Sequence, residues 1–177
     1  MTNRLIALVA IALFVSLIPM SRAADEKKEL SSKDMKFVKN AATGGEMEVA
    51  LGKLAAGKAT NEDVKKFGQH MVDDHSKAND ELKDLAKTKS VDLKDAQDKA
   101  IKMEQKAEAK LSKKEGGAFD KAYMDDMVKD HEKDVKEFED ASKNSDDADL
   151  KSWAGKTLPT LQHHLEMAKD IQSKLGK

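Results

Sequence analysis

Cysteine is absent from the 177-residue chain, which excludes disulfides, thiolate metal ligands, thiol catalysis and lipid attachment at a cysteine. Aromatic residues make up only 4% of it, so any core must be largely aliphatic and must hold without covalent staples. Arginine occurs only as Arg4 and Arg22. Nucleic-acid recognition favours a clustered basic face with guanidinium forks for phosphate, and the lysines and acids of this chain are interspersed, so nucleic acid is set aside as a partner. Neither a Gly-x-Ser-x-Gly elbow nor a glycine-rich phosphate loop is present, and Gly116-Gly117 reads as a plain linker. Catalysis by a nucleophile therefore has little support, and the sequence names no catalytic residue.

The one long apolar run, residues 5–18, follows Arg4 and precedes Pro19 and Ser21-Arg22-Ala23. It is short for a roughly 30 Å hydrocarbon core. A basic start, an apolar middle and small residues at a cleavage position predict a secretory signal peptide over residues 1–23, followed by a polar leader over 24–33 and one domain over 34–175. The expected destination is the periplasm or the extracellular side, with association to the outer membrane a further option, and no transmembrane span is expected in the mature chain. Cleavage would remove both arginines and no acid, leaving 30 lysines against 33 acids, a net charge of −3.

What is abundant is charge, 37% of residues, carried on segments whose apolar residues recur at three- and four-residue steps. Val38, Ala41, Gly45, Val49, Gly52 and Ala55 predict a helix over 34–58, whose small residues would let a neighbour approach closely. Asn61 is a good N-cap for a second helix carrying Val64, Phe67, Met71, Ala78, Leu82 and Leu85 to about residue 89. A lysine-rich stretch over 93–111 reads as a connecting helix. Phe119, Tyr123, Met127, Val135 and Phe138 predict a fourth helix to about residue 143, and Leu150 to Leu175 a last one, with a kink or break expected at Pro159. Four long helices, one connector and no alternating strand pattern predict an all-α fold, a ferritin-like four-helix bundle with an additional connecting helix.

One motif occurs twice. Met71-Val72-Asp73-Asp74-His75-Ser76-Lys77 returns 56 residues later as Met127-Val128-Lys129-Asp130-His131-Glu132-Lys133, which supports a bundle built from two related hairpins. Each histidine interrupts an apolar seam, as do Glu48 between Gly45 and Gly52 and His164 between Leu161 and Ala168. All four residues fall near the middle of their helices, so an antiparallel bundle would bring them to one depth. Three imidazoles and a carboxylate form a candidate central site of Glu48, His75, His131 and His164 for a small ligand or for a divalent metal such as Zn, Fe, Mn or Cu, with Asp74 and Asp130 placed to orient a neighbour's imidazole. The alternative is a hydrogen-bonded core network of histidines in a structural or interaction protein of the cell envelope, with an envelope protein as partner and no ligand. Val72 and Val128 stand where a di-iron bundle would carry Glu-x-x-His, which disfavours a di-iron oxidase. His70 and His163 fall off the seams and should face solvent, while Met71 and Met127 read as core filling.

The stretches 37–45, 48–55, 67–79 and Thr157-Leu158-Pro159-Thr160-Leu161 resemble the bacterial proteins grouped as domain of unknown function 4142, over about residues 34–173. The resemblance implies an exported ferritin-like bundle, often labelled an outer membrane protein. It implies no catalytic assignment.

Overall fold

The computed structural model describes residues 29–176; the expected signal peptide and the first part of the leader lie outside the described residues. Helix starts follow local chemistry. Ser31 accepts a hydrogen bond from the Asp34 amide at 3.2 Å and opens α1, Ser32–Lys58. Asn61 accepts from the Asp63 and Val64 amides to open α2, Glu62–Thr88, and Asp147 does the same through Asp149 and Leu150 for α5, Ala148–Leu175. The connector is α3, Lys94–Leu111. Before α4, Gly117–Asn144, the chain turns at Gly116 with φ +54°, a conformation that a residue without Cβ adopts readily. No strand occurs among the described residues.

Two hairpins, α1–α2 and α4–α5, pack with α1 beside α4 and α2 beside α5. The connector α3 lies on α1, where the Ala96 carbonyl accepts from Thr43 Oγ1 and, at the far end, the Ser112 carbonyl accepts from Lys58 Nζ. It therefore carries the chain back along the whole bundle, so that α4 starts at the same end as α2 and runs parallel to it. One full-length crossover is the connectivity of a ferritin-like bundle. The repeated motif does not relate the two hairpins, because matching hairpin to hairpin pairs α1 with α4 and α2 with α5. It sits instead on α2 and α4, which face each other diagonally across the bundle axis.

Each hairpin clamps the other's turn. Asp34 of α1 accepts from Ser145 Oγ at 2.9 Å and from the Asp146 and Asp147 amides at 3.0 Å. Asp120 of α4 accepts from the Thr60 amide at 3.0 Å, Thr60 Oγ1 at 2.6 Å and the Asn61 amide at 2.9 Å. Both carboxylates are buried, and three donors apiece supply what burial takes away.

The apolar interior is divided in two. One core holds Phe37, Phe138 and Trp153, with ring centroids 5.0–6.1 Å apart; the other holds Leu51, Phe67, Met71, Phe119, Tyr123 and Met127. Between them, at mid-height, lie the buried polar residues Glu48, His75, Asn79, His131 and His164. Gly52 and Gly68 bring α1 and α2 together, since a Cβ on either would stand 2.6–2.7 Å from the other's carbonyl oxygen. Of the kink or break expected at Pro159, the break is not found. α5 runs through Pro159 without interruption, and both Pro159 and Gly155, whose carbonyl loses its intrahelical donor, are exposed to water.

Candidate metal centre

His75 comes from α2, His131 from α4 and His164 from α5, each near mid-helix. Their side chains converge as the sequence expects. Ring centroids are 5.4 Å apart for His131–His164 and His75–His164, and 5.7 Å for His75–His131. Each ring offers a nitrogen, and the three ligand atoms all lie within 4.8 Å of one another. Phe67 closes one side, its ring 6.3 Å from that of His131 and 6.5 Å from that of His164. The three histidines are 6%, 0% and 1% exposed.

The outer nitrogens set the tautomers. His131 Nδ1 lies 3.0 Å from the Met127 carbonyl, which can only accept, so Nδ1 carries the proton and Nε2 keeps its lone pair. His164 Nε2 donates to Asp74 Oδ2 at 2.8 Å, which leaves the lone pair on Nδ1. These two atoms, His131 Nε2 and His164 Nδ1, are buried without a partner, as is His75 Nε2. A carboxylate or carbonyl fixing the far nitrogen of an imidazole is how metal-ligating histidines are held.

Electrostatics keep the rings neutral. Burial and the nearby rings of His131 and His164 push the His75 pKa well below its usual value. Burial, with a contribution from His164, lowers that of His131 to about 4. Burial also lowers His164, and Asp74 partly offsets it. Neutral imidazole is the ligating form, so the cluster is poised to bind a cation at ordinary pH.

Among the other residues the sequence points to, Asp74 is half exposed and serves His164 rather than His75, its neighbour in the chain. Glu48 is buried to 2% exposure, with Oε2 lacking a partner, yet it stands apart from the three-nitrogen group. Burial raises its pKa well above the carboxylate range, and the charges of Asp134 and Asp130 add to this. Asp130 lies beside it and not on an imidazole; burial raises its pKa, followed by the charge of Asp126. His70 and His163 are exposed, and Met71 and Met127 are fully buried in the second core. Asp34 and Asp120, the two turn clamps, were not legible as special, because acids near a helix start are common in any sequence.

An all-α bundle whose two apolar cores are separated by a layer with three convergent neutral histidines can hold a metal ion. The model of the domain of unknown function (DUF4142) matches residues 19–171, and the chain belongs to that family. No curated protein and no solved structure matches it. No described helix is long and apolar enough to cross a membrane.

Proposed function

We propose that this is an exported bundle protein of the cell envelope that binds one divalent transition-metal ion through His75, His131 and His164. Export is supported by the apolar segment 5–18 and the small residues that follow it. The observation that carries the metal reading is the set of three buried, unpartnered ring nitrogens. A histidine-only network cannot satisfy them. His131 Nε2 and His164 Nδ1 both present lone pairs, only His75 has a proton to give, and it can serve only one of the two. A buried polar atom left unpaired costs roughly 1–3 kcal/mol, a penalty that one cation facing three lone pairs removes. Three imidazoles suit Zn²⁺, Cu²⁺ or Fe²⁺ better than a hard ion, and they leave at least one coordination position open.

The test is elemental analysis of protein purified without a metal-binding tag, alongside thermal melts with Zn²⁺, Fe²⁺, Mn²⁺ and Cu²⁺. Near-stoichiometric metal is expected. An ion at a hundredfold excess over its Kd should add about 2.7 kcal/mol, or roughly 5–10 °C in Tm for a domain of this size. His131→Gln and His75→Gln should each abolish both effects. No bound metal and no shift with any of the four ions would overturn the reading and leave a hydrated core with a structural or interaction role.

A further inference from the structure

We propose a second cation site in the same polar layer, built from oxygen: Glu48 of α1 with Asp130 and Asp134 of α4, selecting a hard divalent cation. The three carboxylates line one partly open cavity of about 80 Å³ between α1, α3 and α4. Asp130 and Asp134 are one helical turn apart, and Glu48 faces them across the α1–α4 seam. Gly44 of α1 lies beside Asp134, where a Cβ would stand 3.9 Å from Asp134 Oδ2, an ordinary contact distance.

An acidic cluster alone would be an ordinary solvated face. What distinguishes this one is Glu48, almost completely buried, on the cavity wall, with Oε2 lacking any partner. Asp130 and Asp134 make no direct hydrogen bond or ion pair among the described residues. Lys99 and Lys133 also line the cavity, but Lys133 pairs with Glu137 at 3.6 Å. Asp130 and Asp134 bring negative charge to the cavity, partly offset by Lys133, and Glu48 adds a buried carboxyl oxygen without a partner. All-carboxylate donors suit Mg²⁺, Ca²⁺ or Mn²⁺, whereas imidazoles suit softer ions, so one layer would hold two sites of different selectivity.

Mn²⁺ is the probe, followed by electron paramagnetic resonance and equilibrium dialysis on the purified protein, on His131→Gln, which removes a nitrogen ligand, and on Glu48→Gln and Asp134→Asn, which keep shape and remove charge. The expected result is one equivalent of Mn²⁺ bound to wild type and to His131→Gln alike, displaced by Mg²⁺ or Ca²⁺, and weakened at least tenfold in Glu48→Gln and in Asp134→Asn. Asp134 is only partly buried, so its variant tests the site without threatening the core. Mn²⁺ binding lost in His131→Gln, binding unchanged in both carboxylate variants, or no binding at all would overturn the second site. None of these depends on whether the histidine centre takes Zn²⁺, so the two proposals fail separately.

Discussion

His131 illustrates how one side chain's surroundings set its chemistry. The Met127 carbonyl one turn back accepts a hydrogen bond from its Nδ1–H, and burial keeps the ring neutral to about pH 4. The unfolded chain, with a histidine pKa near 6.5, takes up a proton that the folded metal-free protein refuses. Stability is therefore full above pH 6.5 and declines as pH falls toward 4, by up to about 3 kcal/mol from this residue. Asp134 works in the opposite direction. Burial raises its folded pKa to about 6, so its contribution is present below the unfolded value near 4 and is lost as pH rises through 6. Thermal melts of metal-free protein from pH 7.5 to 4 should show His131→Gln flattening the acid decline and Asp134→Asn steepening it; parallel curves for all three proteins would contradict both assignments. That His131 sits on an apolar seam was readable from spacing. Its tautomer was not, because it depends on which acceptor lies at 3.0 Å.

Helices here are specified mainly by periodicity and caps, and their spacing by glycine. Between Gly52 and Gly68 the two backbones nearly touch, so Gly52→Ala should force α1 from α2 and cost about 1–3 kcal/mol by overpacking. Gly155 is exposed in α5, and a Cβ there would meet only Ser142 Cβ at an ordinary 3.8 Å. Gly155→Ala should instead gain about 0.5–1 kcal/mol from the lower entropy of the unfolded chain. Denaturant melts of the two variants, moving in opposite directions, check this. Small residues in the first helix announced a close approach, but Gly68 as its partner emerged only when α2 was placed against α1. Pro159 shows the reverse case: its sequence signal for a break is strong, yet the helix continues, because the carbonyl deprived of a donor faces water rather than the core.

For the bundle as a whole, the links between hairpins are few and polar. Asp120 joins α4 to the α1–α2 turn through three hydrogen bonds, and Asp34 joins α1 to the α4–α5 turn likewise. Bonds to a charged group are worth about 1.5–3 kcal/mol each and are not additive, so Asp120→Ala should cost at least about 3 kcal/mol in equilibrium unfolding. A loss below about 1 kcal/mol would show that the clamp is not structural. The polar layer between the two apolar cores is the second property of the assembly, since it replaces aliphatic packing at mid-height with three imidazoles and a carboxyl group.

Helix number, the crossover and the common depth of Glu48, His75, His131 and His164 were legible in the chain, because the 3.6-residue repeat fixes which face and height a residue occupies on its own helix. Which atoms meet across helices was not legible. That Asp74 serves His164, that Glu48 turns toward Asp130 and Asp134, and that three ring nitrogens point inward depend on the order and rotation of helices far apart in sequence. Periodicity is a local property of one helix and carries no information about its neighbour's identity.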